Sequence, residues 1–222
     1  MITSHQNQTL QEIRRLLARK ERGRFVAEGE DLLAAADEAG WEPLVRLKAG
    51  EDVSAEALAK VSSLGSGTRE IAIYEERWTA AAGPLCVALW GIKDPGNVGT
   101  ILRGALAFGA ASVVIGPETA DPYGPKAVRA SMGAVFAVPV ARCTEVAELP
   151  QPTVALVARE GDPLSADDAG TLVIGAERTG LADEVVEGCD RVRHIPIQSE
   201  SLNAAMAATI GLYAVTAGGG NA

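Results

Sequence analysis

The sequence predicts an α/β protein built on a mostly parallel sheet. Three observations carry that prediction: short unbroken apolar runs, helical stretches between them, and Gly-, Pro- or Asp-rich turns at the junctions. Strands buried on both faces read as continuous Val, Ile and Leu rather than alternating with polar residues, and the intervening helices cover those faces. At 222 residues the chain can hold one main domain and a small extra one.

Taken in order, residues 8–21 place Leu10, Ile13, Leu16 and Leu17 at helical spacing, which predicts an amphipathic helix. Phe25-Val26-Ala27 reads as a short strand, Asp31 to Ala39 as a helix closed by Gly40, and Pro43 to Leu47 as another strand. A helix is expected over 54–64, ended by Gly65-Ser66-Gly67, and a strand over Ile71 to Tyr74. The stretch Thr79-Ala80-Ala81-Ala82-Gly83-Pro84 has linker composition, so residues 1–79 are expected to form a small unit and residues 84–222 the main domain.

Beyond it, Leu85 to Trp90 is a buried strand followed by a glycine-rich loop and an apolar helix over Val98 to Phe108. Strands are expected at Ala111–Ile115, Phe136–Val140, Thr153–Ala158, Thr171–Gly175 and Ile195–Ile197. Helices are expected at 125–132 and at Leu202 to Ala214.

Composition narrows the function. No apolar run reaches the roughly 18–20 residues that cross a bilayer, and the polar start lacks the order of a signal peptide, so a cytoplasmic protein is expected. Cys86, Cys143 and Cys189 lie far apart and His5 and His194 are the only histidines, which leaves no closely spaced ligands for a metal. A net charge of −9 excludes a uniformly basic coat. Yet Arg14, Arg15, Arg19, Lys20, Arg22 and Arg24 cluster around a single Glu21. Such a cluster, Arg14, Arg15 and Lys20 foremost, can track phosphates or be an ordinary solvated helix face.

Three stretches carry candidate chemistry. Gly91-Ile92-Lys93-Asp94-Pro95-Gly96-Asn97-Val98-Gly99 follows a strand and opens a helix, but fits neither G-x-G-x-x-G nor G-x-x-x-x-G-K-[ST]. Asn97 there is either a helix cap or a site residue, and Arg103 inside an apolar helix must reach solvent or serve a site or interface. In Leu172-Val173-Ile174-Gly175-Ala176-Glu177-Arg178-Thr179-Gly180-Leu181 a buried strand stops at a glycine with a carboxylate two residues on. Ligands bind at that edge of open α/β sheets, although a plain turn around an exposed Glu is the alternative. In Ile195 to Ala208, Ser201 and Asn203 precede a helix of small residues, where they cap it or border a close approach.

In this order the three stretches resemble the signature motifs of SpoU (TrmH) type RNA 2′-O-ribose methyltransferases, of the SPOUT superfamily. Asp121 to Phe136 is also similar to that family, and Arg24 to Leu33 resembles the start of its small L30-like substrate-binding domain. The resemblance covers roughly residues 84–216. It implies a C-terminal trefoil knot holding S-adenosylmethionine, which sequence physics alone would not propose, since knots are exceptional. It further implies a homodimer acting on RNA, ribosomal RNA ahead of transfer RNA. By motif position Ala158, Gly175, Ile195 and Leu202 are expected to line the cofactor pocket, and Asn97, Arg103, Glu177, Ser201 and Asn203 to form the catalytic set. Two departures stand out. Arg178 replaces the usual Gly after Glu177, implying either strain or an extra RNA cation. The 195–203 interval is also about two residues short of the common version and lacks its Gly. A catalytically silent RNA-binding or assembly protein is the reading from another class, and a metabolic nucleotide-binding enzyme a third.

Overall fold

The computed structural model describes residues 1–4, 6–64 and 67–217. His5 and the first two residues of the expected Gly65-Ser66-Gly67 turn lie outside them. The chain begins with α1 (Gln8–Leu17), β1 (Arg24–Glu28), α2 (Glu30–Glu38), β2 (Val45–Lys48), α3 (Ala55–Ala59) and β3 (Glu70–Glu75). These strands form an antiparallel sheet in the order β1-β3-β2. Alternation along β3 supplies two cores: Ile71 and Ile73 face Leu10, Ile13, Leu16 and Leu58, while Ala72 and Tyr74 face Phe25, Leu33 and Trp41. The first helix is shorter than its apolar spacing predicts, because Arg19 turns the backbone out at φ 51°. Its guanidinium, donating to the Arg24 carbonyl at 3.0 Å and to Glu76 at 2.8 Å, holds that turn.

The remaining elements are β4 (Cys86–Leu89), α4 (Pro95–Ala107), β5 (Ser112–Ile115), α5 (Pro125–Ser131), α6 (Ala134–Ala137), β6 (Val140–Arg142), β7 (Thr153–Val157), β8 (Asp162–Pro163), β9 (Thr171–Ile174), α7 (Asp183–Glu187), β10 (Arg191–His194) and α8 (Ala204–Ala217). Seven strands pair in the order β6-β5-β4-β9-β7-β10-β8, and every pairing is parallel. The chain builds outward from β4 to β6, then crosses over, and β9 enters the sheet between β4 and β7. Strand order therefore reverses beside β4, the position where open α/β sheets leave a crevice at their carboxyl ends.

Two expected strands are displaced. Residues 134–137 are helical, not extended: Gly133 at φ 92° starts the turn, and the Val138 amide donates to the Ala134 carbonyl at 2.9 Å. Only Val140 and the two residues after it pair with β5. The last strand is Arg191–His194 rather than Ile195–Ile197. Its charged residues hide it from a search for apolar runs, yet Arg191 and Arg193 both bind the buried Asp168, at 3.1 and 2.9 Å. Burial alone would push the Asp168 carboxyl up, but Arg193, the Ser165 amide and Arg191 together hold it below the usual carboxylate range.

Helix α4 touches α5 through Gly99, where a Cβ would lie 2.3 Å from the Ala127 carbonyl oxygen. The two sheets are joined by one continuous aromatic cluster in which Phe25, Trp41 and Tyr74 pack on Tyr123 and Phe136. Trp41 Nε1 donates to the Phe136 carbonyl at 2.8 Å, and Tyr123 Oη donates to the Arg77 carbonyl at 2.5 Å. Arg19 and Arg22 add ion pairs to Asp121 across the same seam.

Candidate active site at the carboxyl edge of the sheet

Three segments far apart in sequence meet where β4 and β9 end. The loop after β4 enters α4, whose N-cap is Asp94, with its carboxylate accepting from the Gly96 amide at 3.0 Å and from Lys126 Nζ at 2.6 Å. These two contacts, Lys126 foremost, hold the Asp94 carboxyl below its ordinary range. Asn97 is thus not the cap; it lies inside the first turn with its side chain free for other work. After β9, Ala176 and Gly180 exchange backbone hydrogen bonds of 3.1 and 2.9 Å, and Gly180 takes the left-handed conformation at φ 67°. A Cβ at Gly175 would sit 2.4 Å from the Gly180 carbonyl carbon, so the tight loop admits only glycine there. The turn expected for this stretch is present, and it holds Glu177 at the edge of the sheet.

A chain of side-chain bonds links the three segments. Asn203 Oδ1 accepts from the Ala205 and Met206 amides at 2.9 and 3.3 Å, capping α8. Its Nδ2 then has to donate, and does so to Asn97 Oδ1 at 3.1 Å. Asn97 Nδ2 in turn donates to Glu177 Oε1 at 2.5 Å. Each amide has one acceptor and one donor group, so fixing Asn203 at the helix end fixes the sense of both later bonds. The result is a half-buried carboxylate of fixed orientation at the lip of the main cavity.

That cavity, of about 690 Å³, lies between the loops after β7 and β9 and the approach to α8. Ala158, Gly175, Ile195 and Leu202 all line it, as do Glu177 and Ser201. Its inner wall is apolar, with Leu156, Ile174, Ala204 and Ala207, and carboxylates including Glu160, Asp183 and Glu187 stand around it. This combination suits a ligand with an apolar or aromatic body and a cationic end, in a volume typical of small-molecule sites. Residue-by-residue motif matching did not reach the charged lining, since nothing in the sequence tells which loop residues after β7 or around α7 turn toward the crevice. Arg178 sits on the same lining without a positive φ, so no strain attends the residue after Glu177.

The structure does not bring every expected residue to this place. Arg103 is exposed on α4 and does not line the cavity of its own chain. It neighbours an apolar surface formed by Leu106 on α4 and by Met206, Ile210 and Tyr213 on α8, which are 47, 54, 37 and 61% exposed. In the N-terminal basic cluster, Arg15 pairs with Glu21 at 2.8 Å, and Arg24 with Glu12 and Glu21. Arg14 donates to the Lys60 carbonyl at 3.2 Å, and Lys20 has no partner among the described residues. Much of that cluster's charge is thereby engaged inside the chain.

A parallel sheet with a reversal beside its central strand, a self-closing loop on β9 and an amide–carboxylate chain at a crevice define a family, and residues 84–213 match the model of the SpoU rRNA methylase family. The chain belongs to that family. It is 30% identical to the 23S rRNA (guanosine(2553)-2′-O)-methyltransferase RlmP of Bacillus subtilis, across 96% of this chain and 97% of that protein. Against a tRNA/rRNA methyltransferase of Mycobacterium bovis it is 36% identical over 59% of its length, but spans only 44% of that longer relative. Among solved structures, an AdoMet-bound rRNA methyltransferase from Sinorhizobium meliloti superposes with a TM-score of 0.85 at 28% identity, covering 96% of each chain.

Proposed function

We propose that this protein transfers a methyl group from S-adenosylmethionine to a ribose 2′-hydroxyl of ribosomal RNA. The observation that carries the proposal is the Asn203–Asn97–Glu177 chain, oriented by the end of α8 and ending at the lip of an apolar cavity. The family match and the full-length similarity to an enzyme named for 2′-O-methylation of 23S rRNA support the choice of substrate.

The cavity fits the donor on its own terms: an apolar inner wall for the adenosyl body, and carboxylates for the ammonium and sulfonium charges. When bound, S-adenosylmethionine supplies a methyl already activated by the positive sulfur. The chain's task is then to align a ribose oxygen and accommodate its lost proton, and positioning can contribute up to about 7–11 kcal/mol. Glu177 is the fixed acceptor at that point, Asn97 and Asn203 hold it, and Ser201 stands on the cavity wall as an adjustable hydroxyl. Arg103 brings a guanidinium, which has hydrogen-bond donors and no acceptor, so it serves as an electrostatic partner of the phosphate and the developing alkoxide rather than as a base.

Because Arg103 is outside its own cavity and beside an uncovered apolar face, we read the active species as a homodimer in which α4 and α8 of two copies pack together. We also read the entry of β9 between β4 and β7 as part of a trefoil knot in the C-terminal half. The antiparallel unit, residues 1–79, is read as an L30-like substrate-binding domain with Arg14, Arg15 and Lys20 as RNA contacts. Residues 84–222 are read as the methyltransferase domain. A cytoplasmic setting accords with three unbridged cysteines.

Transfer of tritiated methyl from the donor to ribosomal RNA lacking its modifications tests the proposal. Wild type is expected to label ribose, and Glu177→Gln and Arg103→Ala to lower the rate by about 100-fold or more, the range for removing a positioned group. Labelling of base atoms only, or equal rates in all three proteins, would overturn it; labelling of transfer RNA alone would move the substrate assignment.

A further inference from the structure

Of the 20 lysines and arginines in this chain, nearly all are engaged: by carboxylates, by carbonyls, or over the Trp41 and Trp78 rings as Arg77 and Arg142 are. Among the described residues only Lys20, Arg103, Arg159 and Arg178 have no ion-pair, hydrogen-bond or cation–π partner. Two of these four, Arg159 and Arg178, line the cavity described above. They stand on loops that leave neighbouring parallel strands, since β7 pairs with β9 and Leu156 lies opposite Ile174. Arg159 is thus three residues past one end of that pairing and Arg178 four past the other, on the same edge of the sheet. Adjacent strands are about 4.8 Å apart, so two side chains as long as arginine can close on one anion there.

We propose that Arg159 and Arg178 form a two-guanidinium clamp for a backbone phosphate of the RNA strand next to the reacting ribose. The inference rests on the RNA-methyltransferase reading above and adds a substrate contact to it. Carboxylates around the cavity, Glu160, Glu177, Asp183, Glu187 and Glu200, outnumber the two guanidiniums, so an approaching polyanion meets repulsion everywhere else on this rim. Yet neither guanidinium is neutralised by those carboxylates in the free protein. Both residues are exposed, whereas the deeper lining, with Ile174, Leu202 and Ala204, is apolar and largely buried. Position therefore favours a group that arrives from solvent over one held within. Two planar forks on one phosphate also fix its orientation more tightly than a single cation does. Arg178, where the motif commonly has glycine, then gains a role beyond tolerated substitution.

The test is binding, measured apart from turnover. A fluorescein-labelled, mixed-sequence single-stranded RNA 20-mer is titrated into wild type and the Arg159→Ala/Arg178→Ala double variant at several salt concentrations. The double variant is expected to bind about tenfold or more weakly, as loss of charged hydrogen bonds predicts. The slope of log affinity against log salt is expected to fall in magnitude by about 0.7, the value for one neutralised phosphate on a single strand. Affinity for S-adenosylhomocysteine, by calorimetry, is expected to stay within about twofold, because both guanidiniums are exposed at the cavity's rim whereas the wall proposed to hold the adenosyl body is apolar and more deeply buried. Unchanged RNA affinity and slope would overturn the clamp. So would unchanged RNA binding with a large loss of S-adenosylhomocysteine affinity, which would assign the pair to the cofactor's carboxylate. If wild type binds RNA through the clamp but methylates none, the clamp stands and the proposed activity fails.

Discussion

Single residues in this protein show how much an unpartnered polar atom decides. Tyr74 is fully buried between the two sheets, and its Oη has no hydrogen-bond partner among the described residues. Burial pushes its hydroxyl up to about 12, so it stays protonated at any ordinary pH. Leaving such a group unsatisfied costs about 1–3 kcal/mol, and Tyr74→Phe removes it while keeping the ring. The variant is expected to melt at the same temperature or higher in a thermal scan, and a fall of several degrees would show that the hydroxyl contributes a bond. Opposite logic applies at Asn97, whose two polar atoms are both used. Sequence alone leaves Asn97 divided between a cap and a site residue; what separates them is that Asp94 already caps the helix, a fact of hydrogen bonding three residues upstream. Arg103 is legible as unusual from its place in an apolar helix, and its side chain is exposed with no partner among the described residues.

At the scale of elements, the apolar runs of β4, β5, β7 and β9 were readable because both faces of those strands are covered, which removes any polar alternation. The edge of the sheet was not. Strand β10 is half-buried and charged, and short β8 beyond it gives no pattern at all. Their stability depends on Asp168, only 2% exposed, bound by Arg191 and Arg193 and by the Ser165 amide and hydroxyl. Because that carboxyl is held below its unfolded value, its contribution is full above about pH 3.9, the unfolded pKa, and is lost as pH falls through the folded one. Asp168→Asn is therefore expected to destabilise the protein by about 1.5–3 kcal/mol at neutral pH, the range for hydrogen bonds to a charged group, since the two arginines left behind reach solvent. Denaturant titrations should show wild type and variant beginning to converge below about pH 3.9 and meeting only below the folded-state pKa, where both carry a neutral side chain. A gap that persists undiminished in acid would assign the loss to shape rather than charge.

For the whole molecule, the exposed apolar face around Leu106 and Tyr213 and the placement of Arg103 predict a division of labour between two copies. Arg103→Ala and Asn97→Ala proteins, each inactive alone, are expected to recover about a quarter of wild-type methylation when unfolded, mixed and refolded, because half of the random dimers then carry one intact site. No recovery above the separate variants would place Arg103 in the service of its own chain. The aromatic seam has an effect of a different kind. With Trp41, Phe25 and Tyr74 interlocked against Phe136 and Tyr123, the antiparallel sheet is anchored to the parallel one through packed rings and a hydrogen bond. On the proposed reading, in which RNA touches both sheets, such a body would work as a caliper of set opening: a folded RNA whose two points of contact are spaced correctly meets both at once, and one spaced otherwise must itself bend to be accepted.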